Sequence, residues 1–157
     1  MHIQRTSSKG FTLIELLLVI GIISVLAIVV FVALDPAKRF ADARDSRRIS
    51  DINSILSAVS QYVLDNKNVL PSGIETTEKQ LGTATSGCEV YGEHCNVGVS
   101  NCLDLSSDLA KYLKSIPHDS LTGSDATTHY SIQIDANNIV TVRSCDAKNN
   151  ETFSVSQ

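Results

Sequence analysis

Between Phe11 and Leu34 the chain runs for 24 residues with a single formal charge, Glu15. This run constrains the fold more than any other feature. From Leu16 to Leu34, 19 residues, the apolar character is broken only by Gly21 and Ser24. As a helix rising 1.5 Å per residue, that stretch spans about 28 Å, close to a hydrocarbon core of about 30 Å. A cleaved secretory signal has a shorter apolar stretch, about 7–15 residues, followed by small residues at the cleavage site. Here Asp35-Pro36 and mixed charges follow instead. The run predicts a retained membrane helix and excludes a plain soluble domain.

The remaining chain is enough for one small domain: the whole has 157 residues, of which 43% are hydrophobic and only 5% aromatic. A charged fraction of 19% does not fit a solvated, disordered tail. The net charge of −4 is unevenly spread. Residues 1–10 carry Arg5 and Lys9, residues 35–66 balance five basic against five acidic side chains, and residues 67–157 set six basic against eleven acidic. A nucleic-acid binder needs a basic footprint, so nucleic acid is not an expected partner of the distal half.

Charge and cysteine content disagree about orientation. Lys38, Arg39, Arg44, Arg47 and Arg48 follow the apolar run, against Arg5 and Lys9 before it. The positive-inside rule alone would place the C-terminal part in the cytoplasm. Four cysteines, Cys88, Cys95, Cys102 and Cys145, suit instead a disulfide-stapled domain outside the reducing cytosol.

Asp35-Pro36 reads as a helix restart, Asp as N-cap and Pro at the first helical position. Ile49, Ile52, Ile55, Leu56, Val59, Tyr62 and Val63 then recur at spacings of three and four, one face of an amphipathic helix ending near Asp65-Asn66. With the apolar run this predicts about 55 helical residues, some 80 Å long, with any kink near Pro36. The charges of 35–51 read as a solvated face with helical ion pairs. Residues 72–103 read as an irregular loop region, and Leu105, Leu109, Tyr112 and Leu113 as a short helix stopped by Pro117. Tyr130, Ile132 and Ile134 alternate, Asp135-Ala136-Asn137-Asn138 supplies a turn, and Ile139 to Val142 completes a hairpin. Thr152 to Val155 suggests a third, edge strand.

The segment Lys9-Gly10-Phe11-Thr12-Leu13-Ile14-Glu15-Leu16 resembles the processing site of type IV prepilins and type II secretion pseudopilins. That signature is a short basic leader ending in Gly, an aromatic residue that becomes the new N-terminus, and a Glu four positions on, heading a long apolar helix. A carboxylate inside a membrane helix is costly and calls for a partner, which makes the pattern specific. The resemblance implies cleavage between Gly10 and Phe11 by a membrane prepilin peptidase and methylation of the Phe11 amine. It also implies a cytoplasmic N-terminus, an outward distal domain, and filament assembly through Phe11 and Glu15. Leu113-Lys114-Ser115-Ile116-Pro117-His118-Asp119 through Tyr130 is similar to the family's approach to its C-terminal sheet, and Tyr62 through Leu70-Pro71 to its exit from the long helix. One departure is Val32, where many members have a proline, this chain having its own at Pro36; the range for any locally unwound stretch in a filament is therefore Gly21 to Pro36.

The expected organisation is a leader over 1–10, a transmembrane and assembly helix over 11–34, its amphipathic continuation over 35–66, and a disulfide-bonded α+β head over 67–157. The fold class is α+β: a long N-terminal helix on a small antiparallel sheet. The expected function is a structural subunit of a type IV pilus, a helical homopolymer made with the assembly machinery of the cytoplasmic membrane and displayed outside the cell. Its alternatives are a pseudopilin of a secretion or competence machine, and a single-pass anchored extracytoplasmic binding domain that never polymerises. No catalytic constellation, phosphate loop or cofactor motif is present, and His118 and His129 have no nucleophile signature beside them.

Four cysteines permit three pairings, and spacing selects none by rule. The adopted expectation is Cys88–Cys95 and Cys102–Cys145, the second resembling the bridge that fastens the C-terminal region of many pilins. Cys88, His94, Cys95 and Cys102 lack the short pair typical of structural zinc. Asp119, Asp125 and Asp135 near Gly123 invite a calcium reading, since some pseudopilins bind calcium in a comparable loop, but their spacing matches no loop motif and ordinary turn roles are expected. No metal site is predicted. Asn150-Glu151-Thr152 is a glycosylation sequon by pattern only.

Overall fold

The computed structural model describes residues 10–91, 94–147 and 154–157. The leader ahead of Gly10 and the sequon Asn150-Glu151-Thr152 lie outside the described residues. The chain divides into two compact units, Met1–Phe40 and Ala41–Gln157.

Helix α1 (Leu13–Leu34, 22 residues) has no buried residue. Its side chains are apolar on all sides, the pattern of a helix surrounded by an apolar environment and not one laid on a core. The helical run from Leu13 to Asp65 covers 53 residues with one interruption. At Asp35 the backbone turns left-handed, φ 38°. Pro36 explains the break: its ring disfavours the helical conformation of the residue before it, and Asp tolerates the left-handed one. Asp35 then serves as the expected cap of α2 (Pro36–Asp65, 30 residues). Its Oδ1 accepts from Lys38 N at 3.4 Å, and its carbonyl accepts from Arg39 N at 3.2 Å.

In the second unit, α2 buries Ile52, Ile55, Leu56 and Val59 as the spacing predicts, with Ala58 beside them. Ile49 departs from the expectation and is 40% exposed. The buried stripe continues instead through Arg48 and Asp45, four and seven residues before Ile52. The segment 35–51 is therefore not simply a solvated face. After α2 the chain reverses through Lys67 and Asn68, both at positive φ, with Asn68 N bonding Val63 O.

The head contains β1 (Lys79–Leu81), β2 (Val90–Tyr91), β3 (Asn96–Val97), β4 (Cys102–Leu103), β5 (Tyr130–Ile134), β6 (Val140–Ser144) and β7 (Ser154–Ser156). One sheet has the order β4-β1-β5-β6-β7, and β2-β3 form a separate hairpin. The region read as irregular loop thus holds four short strands. The sheet is mostly antiparallel, as expected, but mixed: β1 and β4 run parallel. A parallel pair needs a long crossover. Residues 82–101 supply it by returning to the start of the sheet, where Gln80 N bonds Asn101 O and Gly82 N bonds Leu103 O.

The β5–β6 hairpin forms where alternation placed it, with Tyr130 opposite Ser144 and Ile134 opposite Val140. In its turn the Asp135 carboxylate accepts from the amides of Asn137 and Ile139, both at 2.8 Å. Strand β7 takes the edge beside β6, in keeping with the third strand expected there. Tyr130, Ile132, Val140 and Val142 join Ile52, Ile55 and Val59 in one core. Leu105 and Leu109 are buried in that core too, but residues 105–113 form consecutive turns and not the predicted helix. Asp104 explains part of this: its side chain takes the Ser106 amide at 2.8 Å, and Ser106-Ser107 adds little helix propensity.

Candidate processing and assembly segment, and the head that it carries

Gly10 and Phe11 are both exposed, Phe11 by 83%. Thr12, with extended backbone, is the N-cap of α1. Its hydroxyl accepts from Glu15 N at 3.3 Å, while Thr12 N and Thr12 Oγ1 donate to Glu15 Oε2 at 2.8 and 2.7 Å. This is a reciprocal capping box, in which two otherwise orphaned amides are satisfied. The sequence carried the signal as Thr12-x-x-Glu15, yet reading Glu15 only as a charge in need of a partner missed Thr12. Both carboxylate bonds fall on Oε2; among the described residues Oε1 has none. The cap therefore fixes Glu15 at the start of the apolar helix through one carboxylate oxygen.

The head shows how completely the second unit is closed on itself. The cysteines pair as Cys88–Cys102 and Cys95–Cys145, with Cα separations of 5.4 and 5.2 Å. The expected pairing of Cys88 with Cys95 and Cys102 with Cys145 is overturned. The β2–β3 register, Val90 opposite Val97, is the reason. It sets Cys88 across from Val99, its amide 3.1 Å from the Val99 carbonyl, and puts Cys95 at the other end of the ladder. Cys95 Sγ lies 3.2 Å from Ser131 Oγ on β5, beside the end of β6, where Cys145 N bonds His129 O. Glu78 fastens the same face. Its Oε1 accepts from Ser131 Oγ at 2.6 Å and Arg143 Nη1 at 3.1 Å, and its Oε2 from Asn96 N at 3.0 Å.

Arg48, 2% exposed, joins α2 to the loop before β5. Its Nε donates to Asp119 Oδ2 at 2.5 Å and its Nη1 to Asp45 Oδ1 at 2.7 Å. Burial alone would raise the Asp119 pKa; Arg48 and the amides of Leu121 and Thr122 outweigh it and hold the carboxyl at about 2. Gly123 is required here, because a Cβ would lie 2.5 Å from Asp119 N and 2.6 Å from Thr128 O. Beside this loop His129 Nδ1 lies 2.7 Å from Asp146 Oδ2, and that carboxylate raises the His129 pKa above its ordinary value. Thr122 Oγ1 also meets Asp146.

The three aspartates read against calcium take three separate tasks. Asp119 pairs with Arg48, Asp125 lies 3.3 Å from His118 Nδ1, and Asp135 holds the hairpin turn. Among the described residues no three His, Cys, Asp or Glu side chains are placed to hold a metal. The Arg48–Asp45–Asp119 cluster was absent from the sequence reading. Extending the stripe back from Ile52 by four and then three residues would have found it.

Residues 5–31 match the family model described as the prokaryotic N-terminal methylation motif. The chain is 40% identical over 78 residues to the type II secretion system core protein G of Klebsiella michiganensis, covering 50% of each chain. It thus spans about half the length of the curated relative it matches. No solved structure matches the chain. With the methylation motif at the head of an unburied apolar helix, and an α+β head following it, these matches support a type IV pilin or pseudopilin family.

Proposed function

We propose that this protein is a membrane-anchored precursor that is cut between Gly10 and Phe11, methylated at Phe11, and polymerised into a type IV pilus filament. The observation that carries the reading is Gly10-Phe11 followed by a capped Glu15 at the head of 22 wholly unburied helical residues. Prepilin peptidase and the pilus assembly machinery of the cytoplasmic membrane are the partners this implies, besides further copies of the chain.

Cleavage leaves a positive amine on Phe11, four residues from Glu15. At the edge of a low-dielectric medium an unpaired carboxylate costs several kcal/mol. The Thr12 cap meets part of that cost within one chain. In the filament the Phe11 amine of a neighbouring copy takes the free Oε1, and the apolar faces of Leu16 to Leu34 supply the non-directional packing. A subunit added out of register leaves two charges unmatched, so the pair contributes register more than affinity. The heads then form the outer surface.

Assembly as the pseudopilus of a secretion machine is the second reading, favoured by the relative named as a type II secretion core protein. The assembly chemistry is the same in both. Expression of Glu15→Ala as the sole copy tests the common step. Cleavage and membrane insertion continue while filament yield falls at least tenfold by electron microscopy; a wild-type yield would remove the assembly role and favour an anchored monomer. Surface filaments in the wild type, lost on deletion of the gene, support the pilus over the secretion machine.

A further inference from the structure

We infer that Lys38, Arg39 and Phe40, in the first turns of α2, form a docking surface for anionic phospholipid headgroups. The inference rests on the reading of α1 as a membrane span. All three residues belong to the same compact unit as α1, and all three are exposed, Phe40 by 67%.

Position is the first argument. Lys38 and Arg39 lie four and five residues beyond Leu34, just past the break at Asp35, within about 6–8 Å of helical path. The headgroup layer beyond the hydrocarbon is about 5–7 Å thick on each side. Both cations therefore come level with lipid phosphate when α1 spans the core.

Charge complementarity is the second. The other basic residues downstream include Arg47, 3.9 Å from Asp51, and Arg48, buried between Asp45 and Asp119. Among the described residues neither Lys38 nor Arg39 is in an ion pair. The nearby acid on the α1 side, Asp35, turns its carboxylate to the α2 backbone. The first turn of α2 holds no acidic residue. Cations at that end oppose the helix dipole, so the arrangement is unfavourable in isolation and is offset by an external layer of negative charge. Phe40 adds an apolar body at the same level, where long cationic side chains lay their stems on hydrocarbon and extend their heads outward.

The test reconstitutes the purified full chain in phosphatidylcholine vesicles carrying trace spin-labelled phosphatidylglycerol or spin-labelled phosphatidylcholine. The motionally restricted fraction gives the relative association constant of the two lipids. The wild type prefers phosphatidylglycerol, and the Lys38→Gln/Arg39→Gln double variant loses about fivefold of that preference per cation removed. Added salt erodes the wild-type preference in the same direction. An unchanged preference in the double variant, or none in the wild type, overturns the inference. So does a double variant whose only defect is weaker chain-to-chain cross-linking in pure phosphatidylcholine, which identifies a second copy as the partner. Resistance to carbonate extraction separates the two levels. A chain that does not insert refutes the membrane reading itself, whereas one that inserts without headgroup preference refutes this inference alone.

Discussion

The two units solve the problem of apolar surface in opposite ways. The head hides its apolar side chains inside itself: Ile55, Leu81, Leu105, Tyr130 and Val142 are all inaccessible. Two disulfides and a buried ion-pair cluster then tie its elements together. Helix α1 hides nothing, and Phe31, Val25 and Ile28 are each more than 60% exposed. Its local order comes from a capping box and from its own backbone bonds. A segment so apolar and so unburied owes its stability to lipid or to copies of itself, while the head has a closed core of its own. The proposed function makes sense of this division, since a helix that leaves the membrane for a filament must exchange one apolar environment for another while the head stays folded.

The sharpest way to break the contrast is to weaken the head and ask whether α1 notices. Closing loops with sequence separations of 14 and 50 residues gives, in the chain-entropy model, about 3 and about 4 kcal/mol for Cys88–Cys102 and Cys95–Cys145. Reducing both is expected to unfold or nearly unfold the head in detergent solution, with α1 helicity retained by circular dichroism. Peptide mapping without reductant should recover the crossed pairs and no Cys88–Cys95 peptide. Arg48→Met comes next. It leaves Asp119 and Asp45 buried without their cation, and the head should lose about 3–5 kcal/mol in denaturant titration. A loss under 1 kcal/mol would mean that the cluster is not a structural tie.

Those two ties differ in how plainly they showed in the sequence. The alternating Tyr130, Ile132 and Ile134, the turn at Asp135, and the stripe from Ile52 to Val59 report local periodicity, and the structure follows them. The cysteine pairing does not follow from spacing, because it depends on the β2–β3 register and on the meeting of Cys95 with Cys145, just past β6 and 50 residues downstream. Arg48 was hidden for a different reason. Its charge made it read as solvent-facing, although it stands where the stripe calls for an apolar residue, and its partner Asp119 is 71 positions away. In the N-terminal segment the opposite holds: motif and geometry are both local, and the capping role of Thr12 was there to be read as Thr12-x-x-Glu15.

Acid and base should act on the head from different sides. Asp119 is held at about 2 against an ordinary value near 3.8, so its folded-state pKa is depressed. Its contribution, about 2–3 kcal/mol, is fully present above pH ~4 and is lost as pH falls through about 2. His129 is raised by Asp146, so its contribution is present below its unfolded pKa of about 6.5 and is lost as pH rises through its higher folded value. Thermal unfolding followed from pH 2 to 9 should show both limbs. Asp119→Asn should flatten the acid limb, and His129→Gln the other. A helix signal from α1 that fell in step with either limb would contradict the independence of the two units.

The mildest perturbation of the fold is also the one that separates two roles of a single carboxylate. Glu15→Gln keeps a capping box, since Gln serves at the third helical position, and should change α1 by only a few tenths of a kcal/mol. Thr12→Val removes the cap itself and costs about 1 kcal/mol, yet leaves the charge in place. If Glu15 matters because it starts the helix, Thr12→Val should harm filament formation and Glu15→Gln should not. If it matters because its charge meets a neighbouring Phe11 amine, the order reverses. The geometry favours the second outcome, because both capping bonds use Oε2 and none of the described donors reaches Oε1. Glu15→Gln should therefore assemble as poorly as Glu15→Ala, with Thr12→Val within a fewfold of wild type and all three cleaved. Filament yields in cells expressing each variant alone decide between them, and wild-type assembly by Glu15→Gln would show that the cap, and not the charge, is what the filament needs.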